Sequence, residues 1–330
     1  QLEAAFPEDA VAFSSGSRDG KHVIVRVWSD RDPGSFYLLD RDAKQTALLT
    51  RVKPWLSPDD LAPSTPISIR ARDGVELDGY LTRPLGQAES GGGWPMVVLP
   101  HGGPFGLRDE WSYDEEVQLL AARGYATLRV NFRGSSGRGR NFVEAGFREW
   151  GGRMQADVID ATRWAVEEGH AAPGRICIWG TSYGGYAALM GAALAPDLYR
   201  CAVATAAVTD LNVSWRWGDI QRSTWGKNFL EETMGSDSAR LREASPVTHA
   251  ADIRAEVLLV HGRRDARVSY EHAKAMIEAF EKAGKPVEQE VFSNETHGIY
   301  GDENRSVYYT RVLGFLDRHI GTGSAPGDGP

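Results

Sequence analysis

The stretch Arg175-Ile-Cys-Ile-Trp-Gly-Thr-Ser-Tyr-Gly-Gly-Tyr186 constrains this chain more than any other. Residues 176–179 are apolar and rich in β-branched side chains, the pattern of a buried strand. Gly180-Thr-Ser182-Tyr-Gly184 follows at once. Next comes Gly185-Tyr-Ala-Ala-Leu-Met-Gly-Ala-Ala-Leu, a run of small residues suited to a packed helix. Strand, sharp turn and helix with serine at the apex is the G-x-S-x-G arrangement that exposes a hydroxyl above a sheet edge. A hydroxyl becomes a useful nucleophile only when it is held still beside a base. Ser182 is therefore the candidate nucleophile. The alternative is an ordinary Gly-rich turn that cradles an anion, and it leaves the partner residues described below without a role.

The wider pattern agrees with this placement. From Trp94 onward, strand-like runs at 96–99, 126–132, 176–179, 201–204, 257–260 and 287–292 alternate with helical patterns near 112–123, 153–169, 184–195, 269–283 and 303–319. Such alternation predicts a mainly parallel, twisted sheet covered by helices on both faces, here an α/β-hydrolase fold. Residues 1–52 read differently. Short strands at 11–14, 22–28, 35–39 and 45–49 make a small antiparallel meander, the size of a single propeller blade, and no second copy of it occurs. Residues 53–65 are rich in Pro and Ser and read as a linker with one helical turn near Asp59-Asp60-Leu61. A hairpin is expected over 67–82 around Asp73-Gly74. The catalytic domain is expected over 66–320 and a disordered tail over 321–330. The edges of a lone blade need cover, so the meander is expected to pack on the hydrolase domain or on a second subunit, which leaves a homo-oligomer open.

Bulk properties narrow the classes. A net charge of −8 disfavours nucleic acid or an anionic membrane as the main partner. No apolar run reaches membrane-spanning length, and no signal peptide opens the chain. The first residue is Gln rather than Met, which leaves open a missing leader or larger upstream region, or else a compact relative with an open site, so a cytoplasmic location is only the default. The two cysteines, Cys177 and Cys201, lie in apolar runs and read as core thiols.

In such a sheet the chemistry belongs in loops after strand ends. His101-Gly-Gly-Pro104 follows the first parallel strand. The N–H of Gly103, or failing that Gly102, can pair with the N–H of Tyr183 as an oxyanion hole. His101 itself reads as a residue that fixes the loop. Asp265 follows the run 257–260, and His297 follows 287–292. The order Ser182, Asp265, His297 suits this fold, with His297 as the base and Asp265 orienting it. His249, His272 and His319 read as solvated, and His261 as a core histidine or one behind the site. Asp210 comes one strand too early, and Glu295 and Asp302 lie too close to His297 in sequence to orient it. Neither a metal-ligand pattern nor a dinucleotide fingerprint occurs, so no metal or cofactor is expected. Arg133, Arg138, Arg140, Arg148 and Arg153 crowd a loop that could flank the cleft and bind an anion.

Taken together, Ala71-Arg-Asp-Gly74, Gly79-Tyr-Leu-Thr-Arg-Pro84, His101-Gly-Gly-Pro104, Asn131-Phe-Arg-Gly-Ser-Ser-Gly137, Gly180-Thr-Ser-Tyr-Gly-Gly-Tyr186, Leu259-Val-His-Gly262 with Asp265, and Thr296-His-Gly298 resemble the prolyl oligopeptidase family of serine peptidases. The likeness is strongest to its acylaminoacyl-peptidase and dipeptidyl-aminopeptidase-like branch. The resemblance implies Ser182, Asp265 and His297 as the triad, Gly103 and Tyr183 as oxyanion donors, and Val208, Leu211 and Trp215 as the lining of an apolar acyl pocket. Trp215, Trp217 and Trp225 could equally be mere cover for the fold. Members usually carry a whole propeller over the site, and this chain has residues for about one blade. A serine hydrolase acting on short peptides or acyl and aminoacyl substrates is therefore expected, with a carboxylesterase of small apolar esters as the alternative.

Overall fold

The computed structural model describes residues 2–86 and 92–321, so the tail expected over 321–330 lies, from residue 322 on, outside the described residues. A short helix α1 (Leu2–Ala5) precedes four strands, β1 (Ala10–Gly16), β2 (His22–Trp28), β3 (Ser35–Asp40) and β4 (Gln45–Arg51), which form one antiparallel sheet in sequence order. Only Val25 and Val27 of this sheet's apolar residues are fully buried, and β4 is exposed along its whole length. The meander is tied to the rest of the chain by polar bonds. Asp30 accepts from the Ser64 amide at 2.5 Å, while Gln118 donates to the carbonyls of Asp30 at 3.2 Å and Ala62 at 2.8 Å.

The second sheet holds β5 (Ser64–Arg70), β6 (Glu76–Thr82), β7 (Trp94–Val98), β8 (Ala126–Asn131), β9 (Ala171–Thr181), β10 (Cys201–Thr205), β11 (Glu256–Gly262) and β12 (Glu288–Phe292), in the spatial order β12-β11-β10-β9-β7-β8-β6-β5. The pairs from β12 across to β8 are parallel, and β6 and β5 add an antiparallel edge. This is the α/β-hydrolase architecture expected above. The hairpin starts earlier than predicted, at Ser64 rather than residue 67, because the Ser64 and Thr82 hydroxyls bond at 2.6 Å and hold the strand ends together. Strand β9 also runs longer than predicted. It passes through Pro173-Gly174 by means of a register shift against β7.

The helices are α2 (Glu115–Ala122), α3 (Arg140–Glu144), α4 (Arg153–Glu167), α5 (Tyr183–Leu194), α6 (Leu211–Ser214), α7 (Thr224–Thr233), α8 (Ser238–Glu243), α9 (Glu271–Lys282) and α10 (Asp302–Ile320). Strand residues alternate between two cores, as the two-residue period demands. Met96, Val98, Ile176, Ile178, Ala202 and Ala204 face α4, α5 and α9. Val97, Cys177, Trp179, Cys201, Val203 and Val260 face α2 and α10. After β7 the chain steps outward to β8, then returns past β7 to β9 and continues the other way. The crevice at that reversal, above the carboxyl ends of β7 and β9, is where ligands bind in open α/β sheets.

Candidate active site

Steric exclusion builds the turn after β9. A Cβ on Gly180 would lie 2.3 Å from the Gly184 backbone, and one on Gly184 would lie 2.2 Å from the Pro100 carbonyl. Both are closer than real Cβ contacts come, so only glycine fits either position. Between them Ser182 is held at φ 63, ψ −119, a conformation that costs a non-glycine residue on the order of 1–3 kcal/mol and is kept only where its surroundings enforce it. The result is a hydroxyl at the N-terminus of α5, at the reversal point of the sheet.

Three donors converge on Asp265, whose side chain is fully buried. Oδ1 accepts from the amides of Arg267 at 2.8 Å and Val268 at 2.9 Å, and Oδ2 accepts from His297 Nδ1 at 2.8 Å. The bond from Nδ1 leaves the lone pair of Nε2 available. His261 is nearby but differently employed. Its Nε2 is 3.6 Å from Asp265 and donates instead to the Val268 carbonyl at 2.9 Å, and burial pushes its basicity down. Ser182 and His297 line the same cleft, without a direct hydrogen bond between them among the described residues. Such bonds are often long in the free enzyme and tighten with substrate bound.

Across the cleft lies the loop after β7. Gly103 adopts φ 118, and a Cβ on Gly102 would meet Ser182 Cβ at 3.7 Å, so both glycines are close to the turn or shaped by it. Tyr183 is the first residue of α5, so its N–H has no acceptor within the helix and adds to the positive end of the helix dipole. His101 braces this loop. Its Nδ1 donates to the Gly102 carbonyl at 2.7 Å, its Nε2 accepts from the Ser135 hydroxyl at 2.7 Å, and its ring stacks on Phe132.

Burial pushes His101 down from 6.5 to about 4, although its bond to Gly102 works the other way. Below its ordinary pKa an unfolded chain takes up a proton here that the folded chain refuses. Stability from this residue is therefore complete at neutral pH and is lost as the pH falls towards about 4. His101→Gln should remove up to about 3 kcal/mol of that acid loss. The check is the difference in urea midpoints between variant and wild type from pH 7 to pH 4, which should narrow as the pH falls.

The cleft measures about 620 Å³ and is walled by Trp150, Val208, Trp217, Ile220, Phe229, Leu230 and Met234, with Asp219, Arg264 and Arg267 among its lining. Of the three pocket residues implied by resemblance, only Val208 lines it. Leu211 is turned into the core, because Asp210 caps α6 and the Leu211 amide donates to Ser245 Oγ at 2.8 Å. Trp215 donates to the Gly235 carbonyl at 3.1 Å and packs on the core. The arginines expected to flank the site are not in the wall either. Arg133 is buried and bound to Asp157 and Asp73. His272, read as solvated, is only 1% exposed. Its Nδ1 accepts from the amides of Thr209 at 3.2 Å and Asp210 at 3.3 Å, and its ring forms part of the cleft. Glu295 holds the His297 loop from within, accepting from the amides of Tyr300 and Gly301 at 3.1 Å each.

The profile described as "Prolyl oligopeptidase family" matches residues 111–323. The chain belongs to that family. Among curated relatives of this prolyl oligopeptidase family chain, dipeptidyl aminopeptidase BIII of Pseudoxanthomonas mexicana is 35% identical, covering 99% of this chain and 48% of its own length. The uncharacterized peptidase YuxL of Bacillus subtilis is 31% identical, covering 86% of this chain and 43% of itself. A solved puromycin-hydrolyzing peptidase of Mycobacterium tuberculosis superposes with a TM-score of 0.83 at 25% identity, over 93% of this chain and 46% of that one. The chain thus spans about half the length of the relatives it matches.

Proposed function

We propose that this chain carries out serine hydrolysis through an acyl-enzyme, on short peptides or acyl and aminoacyl substrates. The observation that supports this most is the meeting of Ser182, at an enforced turn, with the His297–Asp265 pair in one cleft. Ser182 Oγ attacks the scissile carbonyl while His297 Nε2 takes its proton. The carbonyl oxygen becomes an anion facing the N–H groups of Tyr183 and Gly103. His297 returns the proton to the leaving group, and the bond to that group breaks. Water then repeats the cycle on the ester of Ser182. The wall of Trp150, Phe229, Leu230 and Met234 suits a large apolar acyl side chain. The names of the relatives, a dipeptidyl aminopeptidase and a puromycin-hydrolyzing peptidase, favour amide bonds after short acyl portions.

A second reading, a carboxylesterase of small apolar esters, is favoured by one observation. No described residue before Gly102 lines the cleft, so the β meander offers nothing there to anchor a peptide's N-terminus. Two measurements test both readings. A fluorophosphonate should label the wild type stoichiometrically and Ser182→Ala not at all; an unlabelled wild type would sink the hydrolase assignment. Matched amide and ester substrates with the same phenylalanyl acyl group should both turn over. A negligible kcat/KM on the amide alone would leave only the esterase.

A further inference from the structure

The loop that carries Asp265 holds three other charged side chains, and only one of them lacks an occupation. Arg263 lies over the ring of Tyr270, 5.0 Å from its centroid. The Nε of Arg267 pairs with Asp219 at 3.0 Å. Arg264 is exposed, its guanidinium meets no carboxylate, carbonyl or ring among the described residues, and it lines the cleft. Among the described residues of the wall, Asp219, Arg264 and Arg267 are the fixed charges, so Arg264 is the uncompensated one. The protein as a whole carries a net charge of −8, so this positive wall is opposite in sign to the chain's overall charge.

Its place decides what it would meet. The Arg264 amide donates to the Glu295 carbonyl at 2.9 Å, which stitches it to the loop of Thr296 and His297. A histidine that protonates the leaving group stands on the leaving group's side of the scissile bond. In the reading above the apolar wall of Phe229, Leu230 and Met234, which lines the same cleft, takes the acyl side and leaves Arg264 to the other.

We propose that Arg264 recognises a carboxylate on the leaving-group half of the substrate. The favoured class is then short peptides cleaved close to a free C-terminus, or esters whose alcohol portion is anionic. A guanidinium offers parallel N–H donors that match a carboxylate's two oxygens. The inference rests on the serine-hydrolase reading above.

The test uses two aryl esters of N-acetylphenylalanine, one with 4-hydroxybenzoate and one with 4-hydroxybenzamide as leaving group. They work for peptidase and esterase alike. Arg264→Gln should lower kcat/KM for the benzoate ester by about five-fold, through KM, as expected for losing one partly solvated charge-assisted contact. Arg264→Lys should recover part of the loss, and Arg264→Glu should deepen it. The wild-type discrimination should shrink as salt rises from 0.05 to 0.5 M. An equal fall on both esters, or no change on either, overturns the proposal. In those cases fluorophosphonate labelling and turnover of the benzamide ester would show that the hydrolase reading stands. Should the wild type cleave neither ester and resist labelling, both readings fall together.

Discussion

Replacing Asp265 by Asn is expected to lower kcat on the order of 10⁴-fold while leaving the fold intact. The reasoning follows the hydrogen atoms. Asp265 Oδ1 accepts from the amides of Arg267 and Val268 at 2.8 and 2.9 Å, and an asparagine carbonyl oxygen keeps both bonds. Its NH₂ group then takes the place of Oδ2, opposite His297 Nδ1, where the carboxylate now accepts at 2.8 Å. A donor facing a donor is unfavourable, so the imidazole moves its proton to Nε2. The nitrogen that must accept the Ser182 proton is then already protonated, and the carboxylate that would balance the imidazolium is gone. His261 cannot substitute, since its Nε2 is committed to the Val268 carbonyl. The measurement is kcat and the fluorophosphonate labelling rate of Asp265→Asn beside Ser182→Ala, with thermal midpoints as the check on folding. A loss smaller than about ten-fold, in a variant that melts like the wild type, would remove His297–Asp265 as the base.

That such a variant can be chosen from the sequence at all reflects where the information lies. The turn at Ser182 is legible because its glycines answer to backbone crowding within a few residues, and crowding of that kind leaves a local pattern. The placing of Asp265 and His297 is legible because strand ends are, and the loops just past two neighbouring strands bring them to within 2.8 Å of each other. The apolar wall of the cleft is not. Residues 211–243 fold into α6, α7, α8 and a short 3₁₀ turn; α6, α8 and the turn are too brief to show a helical period, and α7 carries one over its ten residues only, with Gly226, Leu230 and Thr233 on the buried face. Their caps were the available signal. Ser223 Oγ accepts from Gly226 N at 3.0 Å, and Asp237 Oδ1 from Ala239 N at 2.9 Å, both visible in the sequence as cap residues ahead of short runs. His272 had a signal too, since it heads the stripe His272, Met276, Phe280 along the buried face of α9. A histidine beginning an apolar stripe at i, i+4, i+8 is better read as buried. The Arg133 cluster failed for a different reason. Its carboxylate partners lie 24 and 60 residues away along the chain, and charge counting along a loop cannot find them.

The ion pair of the same Arg133 with Asp157 predicts a large stability effect away from Ser182, Asp265 and His297. Asp157, on α4, has no exposed side-chain surface and accepts from the Arg133 amide at 2.8 Å, from its Nε at 2.9 Å and from its Nη2 at 2.5 Å. Asp73, the arginine's other partner, is partly solvated. Asp157→Ala strands a buried guanidinium with one half-exposed partner and should cost about 3–5 kcal/mol. The apolar double variant, Asp157→Leu with Arg133→Met, should recover most of that, because the pair's attraction is largely offset by the desolvation of both ions. Two residues past Arg133, the Ser135 hydroxyl donates to His101 Nε2, and His101 donates to the Gly102 carbonyl. Loosening the Arg133 turn therefore reaches the loop after β7, which holds the proposed oxyanion donor Gly103. In Asp157→Ala, kcat should fall while KM for a phenylalanyl ester stays near its wild-type value, because the apolar wall proposed to take the acyl side chain is built from α7 and the residues around it. A variant that loses stability with kcat unchanged would show that the ion pair serves the fold alone, and one that loses less than about 1 kcal/mol would mean that water reaches the guanidinium more freely than its 3% exposure allows.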